Sequence, residues 1–356
     1  MSLLENSCGG GLRGWLCIGI KDTGVNISYY DIISLKNLYI AWEEFVPGKK
    51  YKQDVAEFSL NLQRNIASLY SDLQNKTYHH GGYHAFKISD PKPRDIHKAS
   101  VRDRLLHHAL CRILYPFFDK TFIADSYSCR LGKGTHRANN RFQKCAYHVS
   151  KNNTKTCWVL KCDIRKFFSS IDQKILLQIF RKHVPDQNIV WLVSEIVGSF
   201  RPTEFGIGLP LGNLTSQLFV NIYMNEFDQF VKHRLKIKQY IRYADDFVVF
   251  SRDRVWLEDI LLQMKYFLLR NLKLQMHPDK VFIKTLASGV DFLGWVHFPD
   301  HRVLRTATKR RMFRNVETKG DKKEVIRSYL GLLKYGNAWR LMERIEIGTG
   351  FREARR

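Results

Sequence analysis

From Leu35 onward the chain alternates between stretches with the period of a helix and stretches with the period of a strand. Asp54 to Leu73 carries apolar residues at Val55, Phe58, Leu62, Ile66 and Leu69, steps of three and four that predict an amphipathic helix. A second helix is predicted from Val101 to about Tyr115, ended by Pro116, whose ring cannot continue the hydrogen-bond ladder. Between them "FKISDPKPRDI" reads as strand, proline turn and strand. "WVLKCDI" (158–164) is a short buried strand, and "SSIDQKILLQIFRKHV" after it is helical. Residues 212–235 form a long helical pattern with apolar positions at Leu218, Phe219, Ile222, Tyr223, Phe227 and Phe230. Tyr240–Tyr243 and Phe247–Phe250 are rich in aromatic and β-branched residues, so they read as the two strands of a tight hairpin with Ala244-Asp245-Asp246 at its turn. "VDFLGWVHF" is strand-like, and residues 1–35, with Gly9-Gly10-Gly11 and no sustained period, read as a mobile extension. Helices and strands mix without a steady βαβ alternation, which predicts an α+β fold.

The hairpin turn raises a chemical question. Adjacent carboxylates with apolar neighbours repel each other and resist desolvation, so the pair is either a solvated tip or matched by a cation. A third carboxylate decides between these, and "WVLKCDI" ends in Asp163. If the two strands are neighbours, Asp163 and Asp245 bracket a site for two Mg²⁺ ions about 3.5–4 Å apart, the arrangement that serves in-line phosphoryl displacement. Carboxylates, water and substrate phosphates are the ligands Mg²⁺ prefers.

Composition narrows the partner. Over 356 residues, 58 Lys and Arg stand against 34 Asp and Glu, a net charge of +24. Such an excess points to a polyanion, nucleic acid before anionic membrane. The apolar run Trp15–Ile20 is too short to span a bilayer and lacks the basic flank and cleavage site of a signal peptide. With 44% hydrophobic residues and 23 Phe, 16 Tyr and 7 Trp, the chain is long enough and apolar enough for a large core of two or three subdomains. Seven cysteines show no CxxC pair and no zinc-type spacing, as expected of reduced thiols in a cytoplasm. His79-His80 and His107-His108 read as surface or core histidines. Residues 301–356 hold 16 Lys and Arg against 6 Asp and Glu, a basic helical segment suited to a phosphate backbone.

Tyr243-Ala244-Asp245-Asp246 resembles the YxDD box of reverse transcriptases, and Asp163-Ile164-Arg165-Lys166-Phe167-Phe168 resembles their first palm motif. Phe292-Leu293-Gly294-Trp295 resembles the hairpin that grips the primer end. The likeness runs from about Leu38 to Trp339 with the motifs in the family's order. It implies a right-hand polymerase: fingers over 36–155, a palm with an antiparallel sheet over 156–300 including some fingers elements near 175–205, and a helical thumb over 301–356. The implied activity is RNA-directed DNA synthesis on two Mg²⁺ ions, with Mn²⁺ as a substitute. Asp163 and Asp245 would hold both ions with Ile164 in the metal set, and Asp246 would support the site indirectly. One ion would activate the primer 3′-hydroxyl and the other neutralise the incoming triphosphate.

The resemblance also assigns a nucleotide pocket. Phe168 stands where the family places a ring that excludes a 2′-hydroxyl; the alternative is an ordinary core aromatic. Lys92, Arg94 and Arg130 match the fingers' triphosphate-binding cations, and Arg suits that task through its planar fork. Lys280 matches a general acid for pyrophosphate. In "GLPLGNLTSQ" (208–217), Leu211-Gly212 replaces the family's common Gln-Gly, and the motif ends Ser216-Gln217 rather than Ser-Pro. That departure resembles the enzymes of diversity-generating retroelements, as do "DRLLHHAL" (103–110) and "SYSCRLGKGTHRA" (126–138). The implied partners are a dedicated noncoding or template-repeat RNA, dNTPs, the cDNA product and a small basic accessory protein, with no membrane, for a bacterial or phage-encoded protein of the cytoplasm. Group II intron proteins share most motifs but add a maturase region, for which the residues after 300 leave no room. Retron-like and antiphage-defence enzymes are the alternative, and a catalytically silent nucleic-acid-binding scaffold is the remote one.

Overall fold

The computed structural model of the chain describes residues 27–89, 93–201, 205–319 and 323–349. Order begins before Leu35. Ser28 and Asp31 form a reciprocal capping box on α1 (Tyr29–Ile33), and Tyr29, Ile32 and Ile33 are buried in the main core. Residues 27–35 therefore belong to the folded body, against the expectation of a mobile stretch there; residues 1–26 lie outside the described residues. α2 (Leu35–Phe45) follows, and the single helix expected over 54–73 is two, α3 (Gln53–Leu60) and α4 (Leu62–Gln74). The break is at Asn61, a residue that readily leaves helical geometry, and the Asn65 side chain donates to the Phe58 carbonyl freed by it (2.9 Å).

β1 (Tyr83–Ile88) and β2 (Arg94–Ala99) form an antiparallel hairpin. α5 (Val101–Asp119), capped by Ser100, runs through Pro116 instead of stopping there. Burial of Tyr115 and Phe118 against the core holds the last turn despite the missing N–H. α6 (Thr135–Val149) leads to the palm sheet, whose order is β4 (Tyr240–Tyr243), β5 (Asp246–Ser251), β3 (Trp158–Cys162), β6 (Phe282–Thr285), with each neighbouring pair antiparallel. Both faces are covered. Leu160, Cys162, Tyr240, Phe247 and Val249 point into the main core, with α7 (Gln173–His183), α8 (Gln187–Gly198), α9 (Leu214–Gln229) and α10 (Arg254–Leu272). Val159, Ile241, Val248 and Phe250 point the other way, onto Phe142 and Cys145 of α6. Double burial is why these strands read as unbroken apolar runs.

The main core is continuous from Leu38, Leu69 and Leu110 to Phe219 and Phe247, so the regions expected as fingers and palm share one interior. The segment expected as thumb has its own, which also takes in Trp295 from the range expected as palm. β7 (Val290–Phe292), β8 (Trp295–His297) and β9 (Arg302–Leu304) form a small antiparallel sheet ahead of α11 (Thr306–Lys319), α12 (Lys323–Leu333) and α13 (Trp339–Thr349). Trp295, Leu304, Met312, Leu330 and Ile345 form a core apart from the other two. Polar contacts join this unit to α6 and the turn after it: His297 Nε2 to Asn139 Oδ1 (2.9 Å), Arg302 Nη2 to Asn140 Oδ1 (2.8 Å) and Asn153 Nδ2 to the Pro299 carbonyl (3.0 Å). Among the described residues no helix is long and apolar enough to cross a membrane.

Candidate active site

The register of the palm sheet sets the site. Cys162 at the end of β3 pairs with Phe247 of β5, so the next residue, Asp163, comes level with the end of the β4–β5 turn, where Asp246 begins β5. The segment 275–277 pins it: Arg165 N–H donates to the Gln275 carbonyl (2.9 Å) and His277 N–H donates to the Asp163 carbonyl (2.8 Å). Ile164 between them is buried and bridges to Met276. Across the gap, Tyr243 pairs with Asp246 and closes a two-residue turn, Ala244-Asp245. Ala244 has φ +55°, a left-handed backbone that residues bearing a β-carbon seldom adopt.

The carboxylates oppose one another. Burial pushes Asp245 up to about 6, the charge of Asp163 adds to this, and Lys280 and Arg94 pull the other way. Burial pushes Asp246 up to about 7, Lys161 opposes, and Asp245 and Asp163 reinforce the rise. Asp246 turns toward β3, with Oδ2 3.4 Å from Lys161 Nζ and Oδ1 buried without a hydrogen-bond partner. Lys280 Nζ lies 2.9 Å from Asp163 Oδ1. Among the described residues no three His, Cys, Asp or Glu side chains converge as a ready-made metal cluster. Asp163 and Asp245 fit Mg²⁺ instead as a pair: hard oxygen donors whose charges repel each other in a partly dry setting. Asp246 is coupled to that pair through charge.

One wall of the site is the β2 strand. Arg94 opens it and is felt electrostatically at Asp245. His97 N–H donates to the Leu211 carbonyl (3.0 Å), and Asn213 Nδ2 donates to the His97 carbonyl (2.8 Å). Gly212 has φ +101°, and a Cβ there would come within 2.8 Å of Ile96, so only glycine lets the segment lie against the strand. Leu209 N–H donates to the Phe168 carbonyl (2.8 Å), and the Phe168 ring is half-buried, edge-on to Phe167. Phe168 and the Leu211-Gly212 segment are thus tied to one loop, and Arg94 shares a strand with the residue that docks it.

Residues 87–297 match the family described as Reverse transcriptase (RNA-dependent DNA polymerase). The chain belongs to that family. It is 25% identical to Protein YkfC of Escherichia coli (strain K12), over 65% of this chain and 68% of that protein. It is 21% identical to the Group II intron-encoded protein LtrA of Lactococcus lactis subsp. cremoris, over 70% of this chain and 51% of that one. The chain thus spans about two thirds of one relative's length and half of the other's. The apo telomerase from Candida tropicalis shares the fold, with a TM-score of 0.51 at 11% identity over 70% of this chain and 56% of that one.

Not every residue expected at the site of this reverse transcriptase reaches it. Lys92 lies outside the described residues. Arg130 turns inward: Nε donates to Asp119 Oδ1 (2.6 Å), Nη1 to the carbonyls of Ile123 (2.7 Å) and Ser126 (3.0 Å), and Nη2 to the Asp119 carbonyl (3.3 Å). A guanidinium spent in this way braces the loop after α5 and has no fork left for a triphosphate. Phe292 and Trp295 are also packing groups, Phe292 in the core behind the palm and Trp295 in the thumb core, and the Leu293-Gly294 turn between them has φ +48° and +88°. The sequence reading missed Lys161, Arg242 and Asp228. Their signal was visible: a charged residue set within an apolar strand or helix face, which is seldom tolerated without a partner.

Proposed function

We propose that the chain copies an RNA template into DNA by two-metal-ion nucleotidyl transfer at Asp163 and Asp245. The opposition of these two carboxylates at the strand end and the hairpin turn carries the reading. When bound, Mg²⁺ would lower the pKa of the primer 3′-hydroxyl and offset charge on the triphosphate. Asp163 and Asp245 would hold the ions, with the buried backbone at Ile164 alongside. Asp246 and Lys161 set the local charge behind them, and Lys280 supplies a proton-bearing cation beside Asp163. Arg94 faces the triphosphate from β2, while Phe168 and Leu211 border the sugar. The test is primer extension on a defined RNA with Mg²⁺. Losing one ligand charge removes several kcal/mol of stabilisation, so Asp163→Asn and Asp245→Asn should each slow extension about a thousandfold or more while RNA binding persists. Extension at the wild-type rate by either variant sinks the assignment.

Within the family, the Leu211-Gly212 and Ser216-Gln217 residues support an error-prone enzyme of a diversity-generating retroelement, acting with a dedicated template RNA and a small basic accessory protein in the cytoplasm. A high-fidelity enzyme, assayed with its native RNA, would favour a retron-like or defence role instead.

A further inference from the structure

Two residues before the catalytic turn, β4 carries an arginine that the chemistry above leaves unused. Arg242 and Asp228 are both fully buried, 0% exposed. The Arg242 Nε donates to Asp228 Oδ1 (2.8 Å) and Oδ2 (3.0 Å), and Nη2 donates to Oδ2 (2.6 Å). Tyr240 hydroxyl donates to the same carboxylate (2.7 Å), and Nη2 also reaches Ser126 Oγ (3.1 Å). The remaining arm, Nη1, reaches over the strand end and donates to the Ala244 carbonyl (3.1 Å). The main chain is fixed as well, with Arg242 N–H on the Asp125 carbonyl (3.0 Å) and Tyr127 N–H on the Arg242 carbonyl (2.9 Å).

A buried ion pair seldom makes a fold more stable than apolar side chains of like volume would. Its benefit is the placement of its hydrogen bonds, and of the three that leave the pair, to Ser126 Oγ, Asn221 Oδ1 and the Ala244 carbonyl, the last goes to the residue with left-handed backbone, next to Asp245. Ala at positive φ is disfavoured unless its surroundings enforce it. We propose that Arg242 is the positioning residue of the catalytic turn: anchored by Asp228, it holds the Ala244 carbonyl and fixes the backbone that presents Asp245 toward Asp163. The inference rests on the reading of Asp245 as catalytic. Lysine at 242 keeps the charge but not the function, because a single ammonium cannot serve the carboxylate and the Ala244 carbonyl with the geometry of a fork.

The experiment replaces the pair together. Arg242→Met with Asp228→Leu removes both charges, so no unpaired ion remains and the protein keeps its melting temperature to within a few degrees. With the clamp gone, kcat for primer extension falls at least about tenfold, equivalent to about 1.4 kcal/mol, while KM for dNTP changes less than about threefold. Adding Ala244→Gly to this background recovers part of kcat, since glycine adopts positive φ without strain, whereas a merely structural loss gains nothing from it. Should the double variant fail to fold, Arg242→Lys gives the same kcat loss in a folded protein. A crystal structure of the folded variant is the readout independent of activity: Ala244 is expected to leave φ near +55°. The proposal is overturned if kcat stays at the wild-type value, or if the variant's crystal structure retains the turn and the Asp245 carboxylate in place. Asp245→Asn assayed beside it separates the two readings, since extension by that variant would sink the catalytic assignment while the crystal structure still judges the clamp.

Discussion

Asp245 and Asp246 are neighbours in sequence and differ in surroundings because the turn ends between them. Asp245 is still in the turn and faces the charge of Asp163, while Asp246 begins β5 and pairs with Lys161 on the adjacent strand. The two residues proposed to border the sugar give separate tests. Phe168→Val should admit ribonucleotides by opening space beside the sugar, read as the ratio of rNTP to dNTP incorporation; an unchanged ratio makes Phe168 a core residue only. Leu211→Gln should restore a hydrogen-bonding group near the new base pair, worth roughly 0.5–1.5 kcal/mol, or about a two- to tenfold change in misincorporation. Copying one RNA with both proteins and counting errors by template base checks it, with the largest drop expected opposite adenine. At this scale the placement of Asp163 at a strand end and of Asp245 in the neighbouring hairpin turn was legible, because the apolar runs on either side mark the strands. Arg130 was misread because sequence does not tell whether a cation points outward or into a nest of carbonyls.

Elements were more legible than their ends. The three- and four-residue spacing found the helices, yet Asn61 divided one that looked continuous and Pro116 failed to stop another. In both cases local preference met tertiary burial, and the outcome depended on whether Phe118 or Leu60 had a core to enter: Phe118 is buried, Leu60 is 83% exposed. The thumb offers an element-scale test. A Cβ on Gly336 would run into the Trp295 ring, so the turn between α12 and α13 passes directly over that side chain. Gly336→Ala should destabilise the thumb by about 1–3 kcal/mol through overpacking. Hydrogen exchange should then quicken in α12 and α13 and stay unchanged in the palm strands. Equal acceleration in both would show that the thumb does not unfold as its own unit.

For the molecule as a whole, pH acts through two opposed sets of buried groups. His108 and His297 are held down at about 3 by burial, with nearby cations adding to it, against an ordinary 6.5. Between those values the unfolded chain binds more protons, so their contribution is present above pH 6.5 and is lost as the pH falls. Asp245 and Asp246 are raised to about 6 and 7, so they have the opposite sign: their cost to stability grows as the pH rises from about 4 through those values. His108→Leu should flatten the acid side of a plot of stability against pH, by at most about 1.4 kcal/mol per pH unit. Asp246→Asn should raise the melting temperature at pH 8 more than at pH 4. Urea midpoints taken from pH 4 to 8 decide both. The α+β class was legible at this scale from the mixture of patterns, whereas the shared interior of fingers and palm was not, since it joins residues as far apart as Leu38 and Phe247.

The contacts between α6 and the thumb have a mechanical meaning. Asn139, Asn140 and Asn153 meet His297, Arg302 and Pro299 through hydrogen bonds, His136 stacks on Tyr335 and Phe142 packs on Phe292 and His297, while Trp295, Leu304, Met312, Leu330 and Ile345 stay enclosed in a core of their own. Hydrogen bonds exchanged for bonds to water cost little net free energy, about 0.5–1.5 kcal/mol each, and opening this joint leaves the thumb's own core closed. The helices α11 to α13 can therefore shift against α6 while their own core stays closed, with β7, held by Phe292 against Phe142, as the fixed end of the joint.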